Sequence, residues 1–578
     1  MTAQKRVFGT PVPTRPLFSV GDAVVLLVLG ALIFFAARLA LNAPAVIQGP
    51  TIRLETEALP YYALLSVGRM LAAYALSLLF SLAYGYSAAR SKSAERLLMP
   101  ALDILQSIPI LSFLPVVLLT LISILPSGVA VELAAIILIF TSQAWNMTYS
   151  FYQSMKTQPR ELREASKIFR LNGWLRFRRI DMPFAAVGLI WNSVMSWAGG
   201  WFFLMAAEIF RLGDRDFRLP GLGAYLQTAA DQGNTQALWL GIATLIALIV
   251  MLDQLVWRPL LAWAERFKMS QVSNENAPES WFLTMLRRTA LLERLNRQIV
   301  LPVVDRVNKA LTPRAPDYVA SLDPAEDTVR RSLLGWLLLI ILSGAAGYAL
   351  VQAAGMVVSL PLTSWGEIAL GALATSLRVA CAVIIALAWT IPVGVLIGTN
   401  PAVARFLQPI VQILASIPAT ALFPALLLGL LNVPGGANIA AVLLMLLGTQ
   451  WYLLFNIIAG ASAIPQDLHD TSDFMRLHGW KRWRTLILPG LFPYIITGLI
   501  TSSGGAWNAS IVSEYTEFAG KTTTVTGLGA LITQSTASEN HALLLASTLT
   551  MVLIVVFINR FVWRRLYRLA EDRFRLEQ

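Results

Sequence analysis

The chain has 578 residues, of which 56% are hydrophobic and only 13% charged, and its mean hydropathy is +0.63. A soluble chain carries about 25% charged residues, so this composition suits lipid rather than water as solvent. The net charge of +12 is compatible with a nucleic-acid partner, but the charges lie where membrane topology needs them, and no nucleic acid is expected. The single cysteine, Cys381, lies in an apolar run, and His469, His478 and His541 lack ligand spacing. Neither a disulfide framework nor a metal site is expected.

A bilayer core needs about 20 apolar residues as helix. Twelve segments meet or approach that length, near 20–42, 61–88, 99–125, 130–152, 184–208, 236–257, 332–355, 367–398, 409–431, 437–459, 490–513 and 541–562. The first follows Lys5, Arg6 and Arg15 and so imitates a secretory signal. It is read as an uncleaved span, because its removal would break the repeat described next. Loop charge alternates along the chain. The segment 153–183 is rich in Lys and Arg, as are the loop at Arg90, Lys92 and Arg96 and the tail from Arg564 to Arg575, whereas 43–60 and 516–539 are poor in both. The positive-inside rule then predicts a multi-pass protein of the cytoplasmic membrane with both termini, the 153–183 loop and the central linker in the cytoplasm.

The chain repeats itself. Ile104–Pro109 (Ile-Leu-Gln-Ser-Ile-Pro) aligns with Ile413–Pro418 (Ile-Leu-Ala-Ser-Ile-Pro) at an offset of 309, as do Arg69, Gly85, Arg96, Pro100 and Pro115 with Arg378, Gly394, Arg405, Pro409 and Pro424. Further on the offset becomes 306 and pairs Gly173, Trp174, Pro183, Trp201, Glu208, Gly221 to Ala224 and Trp257 with Gly479, Trp480, Pro489, Trp507, Glu514, Gly527 to Ala530 and Trp563. Apolar similarity alone would not hold charged, Pro, Gly and Trp positions in constant register. Six spans per copy make the repeat parallel. The expected fold is all-α: a polytopic membrane protein of about 12 transmembrane helices in two parallel six-helix repeats, 1–258 and 332–578. The polar linker 259–331 between them has an amphipathic stretch over 281–311.

The loops 153–183 and 459–489 carry the strongest functional pattern. The first runs from Glu164-Ala165 through Arg170, Gly173 and Trp174 to Pro183, the second from Asp470 through Arg476, Gly479 and Trp480 to Pro489, with nineteen residues from acid to proline in each. Glycine suits a left-handed turn and proline the first turn of the next helix. These loops resemble the E-A-A-x3-G-x9-[IV]-x-L-P signature of ABC importer permease subunits. The Ser-Ile-Pro and Gly-Leu-Gly segments resemble the nitrate/sulfonate/taurine branch, and the whole chain its duplicated anion-transport type. The resemblance implies the type I importer permease fold and a subunit without catalysis of its own. It also implies two ABC ATPase partners that hold ATP and magnesium and dock on these loops, and an extracytoplasmic substrate-binding protein. The chain departs from the signature in having Arg170 and Arg476 at the usual Gly, and Asp-Thr-Ser in place of Glu-Ala-Ala in the second copy.

No P-loop is present. The nearest approach, Tyr515 to Thr522, has Tyr in place of the first Gly. Intramembrane charges mark pathway candidates: Arg69 and Arg378 as an anion-lining pair, Glu208 and Glu514 at the mouth. Gln106, Ser107, Ser416, Trp197, Trp201, Trp507 and Asn508 are further lining candidates. A secondary transporter is the competing reading, but it needs coupling acids at mid-span, and few exist. The solute is left open among nitrate, sulfonates, taurine, bicarbonate, other organic anions and aromatic acids.

Overall fold

A computed structural model describes residues 49–267, 280–288 and 351–573, apart from 108, 170, 172, 213–214, 431–432, 463, 519–520 and 539, together with 298, 302, 306 and 348. The expected first span lies outside the described residues. So do most of the expected seventh span and most of the linker.

In the first half, α1 (Leu59–Arg90), α2 (Lys92–Ser107), α3 (Leu114–Ile124), α4 (Ser127–Thr157) and α5 (Arg160–Ile168) lead to α6 (Met182–Glu208). A hairpin of β1 (Arg211–Leu212) and β2 (Arg215–Asp216) follows, then α7 (Leu222–Asp231), α8 (Thr235–Leu252) and α9 (Arg258–Ala264). The short α10 (Trp281–Arg288) falls within the segment expected to be the linker. The second half repeats the order: α11 (Leu362–Thr399), α12 (Pro401–Ser416), α13 (Ala419–Leu430), α14 (Gly436–Ser462), α15 (Gln466–Phe474) and α16 (Leu488–Glu514). The hairpin β3 (Tyr515–Phe518) with β4 (Lys521–Thr524), then α17 (Leu528–Ala537), α18 (His541–Ile558) and α19 (Arg564–Arg573) complete it. Among the described residues, seven helices are long and apolar enough to cross a membrane, and α12 with α13 forms an eighth candidate bent by 75°. The described fold is all-α apart from two short hairpins, with one order of elements present twice.

The sequence explains where the elements begin and break. Pro183 and Pro489 stand in the first turns of α6 and α16, where a missing N–H costs nothing. Asn234 and Asn540 cap α8 and α18 by accepting from the N–H groups of Ala237 and Leu543. The expected third and ninth spans are not continuous helices. Pro418 forces the preceding Ile417 out of helical geometry (φ −76°, ψ 119°), and Pro109 is extended at the matching break. Each Ser-Ile-Pro therefore divides its span into two helices.

The four principal helix pairings are α1 with α4, α4 with α6, α11 with α14, and α14 with α16, the same pattern in each half. The broken spans interlock the halves. Phe423 and Leu427 of α13 join the core formed by α6, α7 and α8, while Leu111, Leu114 and Leu118 join the core around Trp507 and Leu528 of the second half. The Leu111 N–H donates to Asn508 Oδ1 at 3.4 Å, and the Thr420 hydroxyl donates to the Phe202 carbonyl at 3.2 Å.

Candidate functional site: a central cavity, two buried charge clusters and two exposed loops

At one end of the bundle, the loops expected to dock ATPases form short helices. Ile168 and Phe169 end α5 and are 77% and 74% exposed; Phe474 and Met475, their equivalents at offset 306, are 91% and 65% exposed. Two adjacent apolar side chains in solvent at the same register of both copies mark an interaction surface. Glu164 and Asp470 are exposed on α5 and α15, with Ala165 half-buried beside the former. Trp174 stacks on Phe177 at 6.0 Å, whereas Trp480 is exposed.

The second loop resolves the missing glycine. Arg476 itself adopts the left-handed conformation (φ 52°) after α15. Its N–H reaches the Asp473 carbonyl at 3.0 Å, and the Leu477 N–H reaches that of Ser472 at 2.9 Å, a Schellman cap. Arginine carries a Cβ penalty there that glycine would not. Gly479 (φ 56°, ψ −132°) starts the next turn. In the first loop the Leu171 N–H makes the same bond to Ser166 at 3.0 Å; Arg170 lies outside the described residues, and Gly173 opens the following turn. The loops also differ. Buried Asp181 accepts from Gln158 at 3.1 Å and lies 3.6 Å from Arg176, while its counterpart is the apolar Ile487.

Near the opposite end, the intramembrane charges form one cluster per half. Arg69 binds Glu208 at 2.8 Å and Glu132 at 2.6 Å, and donates to the Pro220 carbonyl at 2.9 Å. Glu208, fully buried, also accepts from Ser66 at 2.7 Å and from the Gly223 N–H at 2.7 Å. The second half repeats this with Arg378, Glu514, Thr375, Gly529 and the Thr526 carbonyl; Asn438 replaces Glu132. A Cβ on Gly221 or Gly527 would lie 2.3 or 2.1 Å from the buried carboxylate, so the two Gly-Leu-Gly segments leave room for the glutamates. Both arginines expected along an anion route are bonded inside their own half, where a charge at that depth finds its partner. Ser66 and Thr375, Glu132 and Asn438 were not singled out from sequence, although their repeat offsets carried the signal.

Between the halves, α6 faces α12 and α14 across a cavity of about 430 Å³. Trp191, Trp197, Trp201 and Phe202 form one wall, Trp451, Tyr452 and Phe455 the other. Gln408 and Gln412 of α12, and Asp253 and Trp257 beyond α8, complete the lining. Trp197 meets Trp257 at 5.5 Å and Trp201 at 6.5 Å. Of the expected lining residues, Trp197 and Trp201 thus reach the cavity. Trp507 is buried in the second half, Asn508 bonds across to Leu111, and Gln106 is exposed at the end of α2. Ser107 and Ser416 end α2 and α12, and their side chains lie outside the described residues. Lys521 opens a β-strand, whereas a P-loop lysine opens a helix.

Comparison with known proteins follows the same two-copy pattern. The family described as binding-protein-dependent transport system inner membrane component matches residues 81–256 and again 390–576, more than half of the chain. The bicarbonate transport system permease protein CmpB of Synechocystis sp. is 34% identical over 125 residues, 22% of this chain and 43% of that protein. The nitrate import permease protein NrtB of the same organism is 31% identical over 124 residues, 22% of this chain and 44% of that protein. The taurine transport system permease protein TauC of Escherichia coli is 26% identical over 152 residues, 26% of this chain and 52% of that protein. The chain spans about half the length of the curated relatives that it matches. With the family matched once in each half, the chain belongs to the binding-protein-dependent transport system inner membrane components, in a tandem form.

Proposed function

We propose that this chain supplies both membrane halves of an ATP-driven ABC importer of the bacterial inner membrane, moving a small solute delivered by an extracytoplasmic binding protein. The carrying observation is the pair of equivalent exposed loops, which present Ile168-Phe169 and Phe474-Met475 at one end of the bundle. Two ATPase subunits, each holding ATP and magnesium, dock there, one per loop. Glu164, Ala165, Arg170, Gly173, Trp174 and Pro183 shape the first dock; Asp470, Arg476, Gly479, Trp480 and Pro489 shape the second. This end and both termini face the cytoplasm, as the loop charge implies. Residues 1–258 and 332–578 are the two permease units, joined by the linker 259–331.

When the ATPases close, they pull the two loops together, and the interlocked broken spans transmit the movement to the cavity. Nucleotide acts by binding one arrangement of the loops better than the other. The Arg69–Glu208 and Arg378–Glu514 clusters hold α1 to α6 and α11 to α16 so that each half moves as a unit. The test is copurification: with Ile168→Asp, Phe169→Asp, Phe474→Asp and Met475→Asp together, the ATPases should no longer copurify with the folded chain. Full ATPase retention and full ATP-driven uptake by that variant would overturn the docking assignment.

A further inference from the structure

The cavity has a chemistry unlike that of an inorganic-anion site. Among its described lining residues there is no Lys, Arg or His, and the one carboxylate, Asp253, is held by Arg258 at 2.9 Å. An oxyanion brought to this depth would lose its hydration without meeting a cation, at a cost of several kcal/mol. Its size is also wrong. About 430 Å³ falls within the range of small-molecule sites, roughly 300–1,000 Å³. A triatomic or tetra-atomic anion is only a little larger than a water, whose share of volume is about 30 Å³.

The walls instead offer ring faces. Trp191, Phe202, Trp451 and Phe455 are not fully buried, so their rings are available for offset or edge contact with a planar guest. Trp197 and Trp257, which also line the cavity, each carry a buried indole N–H without a partner among the described residues. An unmet buried donor favours a guest that brings an acceptor. Gln408 and Gln412 add amides on the facing helix. A quaternary ammonium ion suits aromatic walls but brings no acceptor for the indoles.

The aromatic stripe on α6 has no equivalent on α16. At offset 306 the stripe Trp191, Met195, Ala198 and Phe202 becomes Thr497, Thr501, Gly504 and Asn508 on α16. The matching face of α16 therefore lacks these rings. We infer that the cavity is a transit site for an uncharged, planar heteroaromatic solute whose ring nitrogens or carbonyl oxygens accept hydrogen bonds, rather than for an inorganic oxyanion. This deepens, and rests on, the reading of the chain as an importer's membrane subunit.

The test uses the full chain in lipid nanodiscs and equilibrium dialysis. The probes are a panel of uncharged pyridines, pyrimidines, purines and pteridines, with nitrate, bicarbonate and choline alongside. At least one heteroaromatic class should bind at a midpoint about tenfold or more below those of nitrate, bicarbonate and choline. Replacing Trp191 and Trp451 together by Leu, which keeps apolar bulk but removes the rings, should weaken that binding about tenfold or more. Trp239→Leu, on an exposed face away from the cavity, should leave it unchanged. The inference is overturned if nitrate, bicarbonate or choline binds as tightly as every heteroaromatic, or if the double variant binds like the wild type. ATP-driven nitrate uptake by the assembled importer, with no heteroaromatic binding, would sink this inference and leave the importer reading standing. Heteroaromatic binding to a chain that never recruits ATPases would do the reverse.

Discussion

The Thr420 hydroxyl donates to the Phe202 carbonyl at 3.2 Å, a hydrogen bond that runs from the second half of the chain into the first. Its repeat-mate runs the other way, from the Leu111 N–H to Asn508 Oδ1. Both sit beside a Ser-Ile-Pro break, so each broken span is tied by a hydrogen bond to the fifth-span helix of the other half. Thr420→Val should cost about 1 kcal/mol, read as a lowered midpoint of thermal unfolding in detergent. Combining it with Asn508→Leu should add nearly in full, because the two bonds share no partner. An unchanged midpoint in the double variant would show that the halves are held by apolar packing alone.

Glu208 lies fully buried against Arg69. Arg69→Met leaves that carboxylate buried without a cation and should destabilise the first half by about 3–5 kcal/mol. The paired change Arg69→Met with Glu208→Leu should recover much of that loss. The measure is the yield of monodisperse protein and its thermal midpoint. Equal loss in the single and double variants would contradict the pairing.

Gly221→Ala and Gly527→Ala place a methyl group within bonding distance of the buried carboxylates of Glu208 and Glu514. Each should lower the folded yield. Gly68→Ala, in open space on α1, is the control. The φ values of Gly221 and Gly527 are extended, so the expected damage comes from the carboxylate's need for space and not from backbone strain.

Arg476 occupies a left-handed position. Arg476→Gly should preserve ATPase copurification, since it relieves a penalty of roughly 1 kcal/mol. Arg476→Val, β-branched at φ 52°, should distort the Schellman cap and reduce copurification. Equal loss in both variants would assign the effect to the guanidinium rather than to the turn.

Burial pushes the Asp216 carboxyl up, but the side-chain and backbone hydrogen bonds from Arg218 and the charges of Arg218 and Arg211 outweigh it and hold the group below its ordinary value of 3.8. A depressed folded value stabilises the hairpin above the unfolded value, and that contribution is lost as pH falls through the folded one. Hydrogen exchange in 209–220 should therefore accelerate, beyond the intrinsic pH dependence, as the pH falls below about 4. Asp216→Asn should flatten the profile. A wild-type profile as flat as the variant's would contradict the pairing.

Much of the described fold was legible because lipid imposes a simple code. Apolar length gave the spans, and constant-register Pro, Gly and Trp gave the repeat. The break at Ser-Ile-Pro was printed in the sequence, but the apolar run across it, 99–125 or 409–431, reads as one continuous helix when hydropathy is the only guide. The charged residues were found and their purpose was not. Arg69 and Glu208 lie far apart in the chain, and only folding brings them together with Ser66 and Gly223. The cavity was legible only in part: Trp197 and Trp201 stood out, whereas Trp451, Tyr452, Gln408 and Gln412 come from helices whose facing surfaces hydropathy does not resolve.

Four wide, π-helical turns interrupt the helices at Phe177–Asp181, Asp253–Trp257, Trp483–Ile487 and Asn559–Trp563. The second pair repeats the first at offset 306. A π turn holds one residue more than the helix around it, which rotates the downstream face by about 100°. Two such insertions at the same register of both copies date themselves: they were already present in a single ancestral unit before it doubled. The unlike faces at equivalent positions, aromatic on α6 and polar on α16, diverged afterwards. The helical frame is thus the inheritance, and the unlike faces are the later history.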